Sequence, residues 1–594
     1  MLEAPDLAID ETLIAGWRAR VERARARLGW DAAGLPGTAG DFGLSRQARV
    51  VARVHKSGAS LALAAPVDQL FTATEVNEWA LCAALFERDP LHWSGLPDAL
   101  AAAGAETAAA ISEAAPPVLD EDAAMARFEH LASAESRPEL GVLLDAADSR
   151  GRMWSVDDSV VTLGAGSGSR SYPLGDLPFV ADVPWPAIRD VPSAVVTGSN
   201  GKTTTVRLIA ECARAQGWRA GYNCTDGVFV DGVALDTGDY SGPAGARMVL
   251  RDARVEAASF ETARGGILRR GLAVSRVRAA VVTNVSADHF GEYGIHDLDA
   301  LADVKLTVAS LVGLHGLLVL NADDSMLREK ASRLGERFGR VPPLGWFSLD
   351  DACDALRSHR RDGGPTCGVS GGRLVLSHGD VEHDLGAVAA MPLTVEASAA
   401  YNVSNLAGAA LAASALGVAP ATIAAVFARF GSDPADNFGR MMRFELGGVR
   451  VLVDYAHNPD GLRGVLRVAE HLQGGRGRLG MLLGHAGNRE DADIEQLAAV
   501  AVGFRPDLVV VKEIEGYLRG RAVGEVPRIL RAALLRDGLP DSAVKMRMSE
   551  VDAARCALEW ARPGDVLALL VHSLAARTAV LGMLEGARGR IGRI

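Results

Sequence analysis

The stretch SAVVTGSNGKTTTVRLIA, residues 193–210, limits what this chain can fold into more than any other. Apolar residues of strand type lead into a turn bounded by Gly198 and Gly201, and a helical pattern follows at once. Glycine lets backbone N–H groups approach a phosphate, and the start of a helix adds the positive end of its dipole. Lys202 has the reach to meet β- and γ-phosphates, and the Thr203 hydroxyl can ligate Mg²⁺. The loop departs from the form GxxxxGK[ST], since Val196 stands where the first glycine belongs and glycine comes two residues later. A plain glycine-rich turn beside a surface lysine would leave the strand–loop–helix order without a reason.

Around this stretch, apolar runs of strand length alternate with helical patterns at 194–197, 203–216, 255–260, 279–284, 299–312 and 317–320. A second series follows Arg440, with strands expected at 451–454, 479–484, 508–512 and 566–572. Such alternation reads as βα units on mainly parallel sheets. The first third is Ala-rich and mixed, with helical periodicity at 11–27 and again after Thr72, where Thr72 and Glu75 read as a TxxE capping box. Strand-like pieces are expected at 141–147 and 159–163, ahead of the Gly/Ser stretch 164–171 and five prolines between 173 and 192. The expected organisation is α/β in three domains: a mixed α/β domain at 1–175, a linker at 176–191, a P-loop domain with a mainly parallel sheet at 192–436, and a Rossmann-like domain at 437–594. No internal repeat and no low-complexity tail interrupts this order.

Composition narrows the partners. At 594 residues, 48% hydrophobic and 23% charged, the chain can bury several cores. A formal charge of −12 argues against a surface built for nucleic acid. No apolar run approaches the ~20 residues that span a bilayer, and the first ten residues are acidic where a signal peptide would be basic. Six scattered cysteines without a CxxC pair fit neither zinc nor a disulfide framework. The expectation is a cytoplasmic protein acting on small molecules, without membrane or nucleic acid.

Two strand ends carry further chemistry. The run 255–260 ends at Glu261, and open α/β sheets bind ligands at such tips. The run 279–284 ends in a loop with Asn284, Asp288 and His289. Lys305 then falls on the apolar face formed by Leu298, Leu301, Val308 and Val312 of a helix expected from about Asp297. Burial lowers an amine's pKa and leaves it able to capture CO₂ as a carbamate, an anionic oxygen ligand for a hard cation. Snorkelling past the helix edge, or pairing with a carboxylate, is the competing reading. Only six of the 62 Lys and Arg residues are lysine, so lysine at this position points to chemistry that arginine cannot do.

The TGxNGKT form resembles the phosphate loop of the Mur ligase family, enzymes that join an amino acid to a carboxylate through an acyl phosphate. Further stretches resemble the family in order: AAYNVSNLAGA (399–409) with Tyr401 where the family has histidine, NFGRMMRF with Gly439 and Arg440 at a hinge, and VLVDYAHNPDGL (451–462). The resemblance implies that Gly198, Ser199, Asn200, Gly201, Lys202, Thr203, Thr204 and Asn284 bind ATP. Asn402 and Asn405 would meet adenine, Asp454 the ribose, and His457 and Asn458 the phosphates, with Arg440 at the hinge also among the nucleotide-binding residues. It further implies two Mg²⁺ ions held by Thr203, Glu261, His289 and a carbamylated Lys305, with Lys202, Glu261, His289 and Lys305 as catalytic residues.

Within the family, the longest stretches resemble the Mur-type half of the cyanophycin synthetases: GYNCTDGVFVDG, DYSGPAGARMVLRD, ETARGGILRRGL, GNREDADI and YLRGRAVGEVPRIL, over about 191–594. This implies arginine or another basic amino acid as the amine, with Asn488, Arg489, Asp491 and Asp493 choosing it. Arg264, with Arg269, would bind an acidic acceptor. A solvated charged loop and ordinary surface pairing are the competing readings. The first third is too short for the ATP-grasp domain of those synthetases, so backbone aspartate addition is expected to be absent. The partners implied are a small-molecule or peptide carboxylate acceptor and an amino acid, in a chain that can form a homo-oligomer. A non-catalytic nucleotide-binding scaffold, a P-loop kinase and a folylpolyglutamate-synthetase-like glutamate ligase are the alternatives. The first predicts decay at the metal positions, yet Glu261, His289 and Lys305 are all present.

Overall fold

The computed structural model describes residues 2–5, 9–30, 50–55, 58–90, 120–287, 290, 292–487 and 489–591. In the first third, β1 (Leu2–Pro5), β2 (Val50–His55) and β3 (Gly58–Leu63) form an antiparallel sheet in the order β1-β3-β2. Helix Glu11–Arg27 begins where Asp10 accepts from Leu13 N at 2.8 Å, and Arg25 and Arg27 sit in its last turn, where they complement the dipole. Its buried face, Leu13, Trp17 and Val21, packs on helix Leu70–Arg88, and Trp17 Nε1 donates to the buried Asn77 Oδ1 at 2.9 Å.

Two expectations for this region are corrected. Thr72 and Glu75 make no capping box, because the helix begins at Leu70 with Gln69 as a cap that makes no side-chain bond. Thr72 Oγ1 instead donates to Glu135 at 2.8 Å, and Glu75 takes Arg127 at 3.0 Å. The piece at 141–147 is no strand but part of helix Pro138–Ser149. Pro138 opens that helix, and Leu140, Leu143, Leu144 and Ala147 make its buried stripe at helical spacing. A small antiparallel sheet follows, β4 (Trp154–Val156), β5 (Val160–Leu163) and β6 (Arg170–Pro173).

The next sheet has eleven strands: β7 (Ser193–Thr197), β8 (Ala220–Cys224), β9 (Gly227–Val230), β10 (Val233–Thr237), β11 (Ala257–Glu261), β12 (Val277–Val282), β13 (Val312–Asn321), β14 (Leu344–Ser348), β15 (Pro365–Ser370), β16 (Arg373–His378) and β17 (Val381–Ala387). Its order is β10-β9-β8-β11-β7-β12-β13-β14-β15-β16-β17. The strands from β8 to β15 in that order run parallel, and an antiparallel wing extends each end. The chain leaves β7 for β8 on one side and later fills β12 on the other, so a topological switch lies at the C-terminal end of β7. Helix Ala400–Leu416 covers one face, and its small residues bring it close; a Cβ on Gly408 would lie 3.2 Å from the buried Phe347 ring.

The last sheet has six strands, β18 (Met442–Leu446), β19 (Val449–Asp454), β20 (Leu479–Leu483), β21 (Leu508–Lys512), β22 (Val544–Arg547) and β23 (Val566–Leu570), in the order β18-β19-β23-β20-β21-β22. All pairs are parallel except β18 with β19. A buried cluster lies on each face of both large sheets. The six cysteines are all free, and no helix among the described residues is long and apolar enough to cross a membrane.

Candidate functional site

A cleft of about 390 Å³ opens where the C-terminal ends of β7, β11 and β12 face the loop after β19. The turn after β7 forms its floor. Gly198 and Gly201 have φ of 149° and 85°, a region that costs a side chain strain. A Cβ on Gly198 would fall 1.8 Å from Thr283 Oγ1, and one on Gly201 would fall 2.1 Å from Asn405 Oδ1. Neighbouring strand ends hold the turn in shape. Asn284 Oδ1 accepts from Asn200 N at 2.9 Å, Thr283 Oγ1 donates to Asn200 O at 2.6 Å, and Ser199 Oγ donates to Ser286 O at 2.9 Å. Lys202 curls back to donate to the Gly198 and Ser199 carbonyls, each at 3.1 Å.

Glu261, 1% exposed, ends β11 beside the first turn of helix Lys202–Ala215. Thr203 Oγ1 donates to its Oε2 at 2.7 Å, and Thr225 donates through Oγ1 at 2.9 Å and through its N–H at 3.2 Å. This is a hard oxygen donor set at a strand tip. Thr204 Oγ1 accepts from Asn437 Nδ2 at 3.2 Å and joins the helix to the segment entering the last sheet.

The opposite wall comes from Ala400–Leu416 and from the loop after β19. Asn402 Nδ2 donates to Leu393 O at 3.0 Å, and Asn405 Nδ2 donates to Asn402 Oδ1 at 3.1 Å. Asp454 accepts from Met441 N at 2.7 Å and from Ala456 N at 2.8 Å. Burial pushes its carboxyl up from the ordinary value, against the pull of the Arg440 guanidinium. Arg440 lies 4.1 Å over the Tyr455 ring. Tyr401 lines the cleft, and burial pushes its phenol well above the ordinary value. His457 also lines it, and Asn458 Nδ2 reaches Asn200 Oδ1 at 2.9 Å. The turn after β7 and the loop after β19 thus touch directly.

The remaining predicted residues are more scattered. Asp288 and His289 lie outside the described residues, as does Asn488. Lys305 is 3% exposed in the last turn of helix Leu298–Leu306. The expected helix to residue 312 is corrected: a 3₁₀ turn takes over at Thr307 and β13 begins at Val312. Leu298 is exposed at 37%, and the buried Leu301, Val308 and Val312 fall on three successive elements rather than on one helical stripe. Among the described residues, no group of three His, Cys, Asp or Glu stands ready to hold a metal. Arg264 is buried with its guanidinium 5.9 Å from the Tyr293 ring centre, and Arg269 lies 5.8 Å from the same ring. Arg489 is 7% exposed, whereas Asp491 is exposed and paired to Arg521 at 2.8 Å; Asp493 stands in the first turn of helix Asp491–Gly503.

Sequence reasoning missed Thr225, Asn321, Asp323 and Asp324, all of which line the cleft. Asp324 accepts from Val285 N at 2.6 Å and fixes the start of the loop that carries Ser286. The strand-tip rule that singled out Glu261 applies equally to the NADD that ends β13.

Residues 196–346 match the family described as Mur ligase middle domain, and residues 439–570 match Mur ligase, glutamate ligase domain. The chain is 34% identical to cyanophycin synthetase of Trichormus variabilis over 400 residues, 67% of this chain and 43% of that protein. It therefore spans less than half the length of that relative. It is 31% identical to UDP-N-acetylmuramoyl-L-alanyl-D-glutamate--2,6-diaminopimelate ligase of Xanthomonas campestris over 385 residues, 63% of this chain and 70% of that enzyme. Among solved structures, E. coli FolC in complex with ADP aligns over 67% of this chain and 90% of its own, with a TM-score of 0.48 and 17% identity. With both family segments in order on either side of the cleft, and with most of a diaminopimelate ligase matched, the chain belongs to the Mur ligase family.

Proposed function

We propose that this protein is an ATP-dependent carboxylate–amine ligase. An acceptor carboxylate oxygen attacks the γ-phosphorus of ATP and ADP leaves. The amine of an amino acid then adds to the acyl carbon of the resulting acyl phosphate, loses its proton, and phosphate departs as the amide forms. The observation that carries this reading is the direct facing of the turn after β7 and the loop after β19, joined by Asn458 and Asn200 across a cleft of nucleotide size.

In this reading Lys202 leaves the two loop carbonyls and turns its ammonium to the β- and γ-phosphates. The N–H groups of 200–204 at the start of helix Lys202–Ala215 take the phosphate oxygens. Asn402 and Asn405 hold the adenine side, Asp454 accepts from the ribose, and His457 and Asn458 close over the phosphates to exclude water. Thr203 and Glu261 offer hard oxygen donors that fit a magnesium ion, and Glu261, His289 and a carbamylated Lys305 would hold a second. Magnesium, when bound, neutralises charge on the transferring phosphoryl group. The carbamate reading draws on the buried position of Lys305 in the last turn of helix Leu298–Leu306.

Arg264 would receive the acceptor's acidic group. The segment with Asn488, Arg489, Asp491 and Asp493 would select the amino acid, with Arg489 gripping an α-carboxylate and the acids meeting a basic side chain. Likeness to cyanophycin synthetase supports arginine as the first amino acid to try. The test is a screen of amino acids against acidic acceptors, reading phosphate release and product mass. A pair that stimulates phosphate release and yields a product heavier by the amino acid less water is expected; no stimulation by any pair would end the ligase reading.

A further inference from the structure

Lys512 is one of the chain's six lysines and is fully buried at the end of β21. Gly484, just past β20, makes room for it, because a Cβ there would lie 3.0 Å from Lys512 Cγ and 3.2 Å from its Nζ. The ammonium donates to Glu550 Oε1 and, at 3.0 Å, to His572 Nδ1. Glu550, also fully buried, takes the N–H groups of His572 at 2.9 Å and Ser573 at 2.8 Å. An ion pair buried this deeply is costly unless it is hydrogen-bonded, and here the imidazole gives the ammonium a second partner while two backbone N–H groups serve the carboxylate.

The arrangement decides the tautomer of His572. An ammonium has only protons to give, so Nδ1, at 3.0 Å from Lys512 Nζ and a longer 3.5 Å from Glu550 Oε1, is placed to accept, which leaves the hydrogen on Nε2. Nε2 lies 3.2 Å from the Ala456 carbonyl. Ala456 sits between Tyr455 and His457, in the loop whose Asn458 meets the phosphate loop. The His572 ring also meets the Tyr455 ring edge-on, with centres 5.3 Å apart. Burial and the neighbouring ammonium push the imidazole down to about 4, which keeps it neutral at ordinary pH.

We propose that His572, held by Lys512 and Glu550, is a positioning residue for the nucleotide: its Nε2–H fixes the Ala456 carbonyl and so the direction in which His457 and Asn458 face the phosphate loop. The inference rests on the ligase reading for the presence of a nucleotide, but its geometry stands on this chain's own atoms.

Two measurements test it. Nitrogen NMR of histidine-labelled, unaltered protein at neutral pH is expected to find His572 protonated at Nε2 only; a proton on Nδ1 overturns the proposal. ADP affinity is then measured calorimetrically for two variants. His572→Gln keeps an acceptor for Lys512 and a donor for Ala456 and is expected to bind ADP within about twofold of the unaltered protein, whereas His572→Phe fills the space without either and is expected to lose about tenfold. Combining His572→Phe with Asn458→Ala is expected to cost no more than the worse single change, because both act through one loop. Equal affinities for the Gln and Phe variants, or additive losses, overturn the proposal while leaving the ligase reading intact. No ADP binding by the unaltered protein overturns both.

Discussion

Thr203 donates its hydroxyl hydrogen to Glu261 at 2.7 Å, which ties the first turn after the phosphate loop to the tip of the neighbouring strand. A charge-assisted bond of this kind contributes about 1.5–3 kcal/mol, and here it also sets two oxygen donors side by side. Replacing Glu261 with Gln keeps the shape but loses the negative charge and one acceptor. The variant is expected to fold and to need at least about tenfold more Mg²⁺ for half-maximal phosphate release. A magnesium titration of activity checks this, and an unchanged midpoint would remove Glu261 from the metal site.

Among the described residues, Lys202 donates to the carbonyls of its own loop and to no other side chain, so its loss should cost little stability. Lys202→Ala is expected to melt within a few degrees of the unaltered protein and to lose about a hundredfold or more in ATP turnover. Full turnover in a folded Lys202→Ala protein would contradict the phosphate-loop assignment.

Lys305 is read as carrying a carbamate, and an arginine cannot form one. Lys305→Ala and Lys305→Arg are both expected to lose ligation. A short carboxylic acid should restore part of it in the alanine variant alone, where a space is left to fill. Product formation with and without formate or acetate measures the effect. Unchanged ligation in the alanine variant without additive would return Lys305 to a purely structural role.

Asp226 takes Arg207 on one carboxylate oxygen at 2.7 Å and Arg577 on the other at 2.6 Å, and all three side chains are buried. Burial raises its pKa, but the Arg440, Arg207 and Arg577 guanidiniums outweigh that and hold the carboxyl below its ordinary value. A depressed carboxylate contributes stability that is fully present above the unfolded pKa of about 3.9 and is lost as pH falls through the folded value. Asp226→Ala, which leaves two buried guanidiniums without their carboxylate, is expected to cost about 3–5 kcal/mol at neutral pH. The difference from the unaltered protein should shrink below about pH 4. Urea unfolding at several pH values would check both statements.

Legibility followed the reach of each signal. The phosphate loop was readable because strand, glycine turn and helix are consecutive, so their geometry is local. Helix Glu11–Arg27 was readable for the same reason. The segment around Gly141 was misread because a short apolar run has no period of its own, and only packing of Leu140, Leu143, Leu144 and Ala147 shows it to be helical. The box at Thr72 failed because Glu135, far along the chain, takes the threonine that a local rule assigns to the backbone. The antiparallel wings β9–β10 and β16–β17 were not anticipated, since edge strands carry little of the apolar signal of central ones. In the cleft, the strand-tip rule found Glu261 and would have reached Asp324 had it been applied after β13, whereas Thr225 was not legible, because only the sheet order brings the end of β8 to the same opening.

The carboxylate of Asp226 also joins parts of the chain that are distant in sequence. Arg207 belongs to the helix beneath the eleven-stranded sheet, and Arg577 to the helix that closes the six-stranded one. Arg207 further donates to the Phe438 carbonyl at 2.9 Å in the segment between the two sheets. Pulling either sheet away from the other strands a charge in a dry place, so neither can loosen far while the other stays ordered. Heating should therefore register a single cooperative endotherm for both, not one for each.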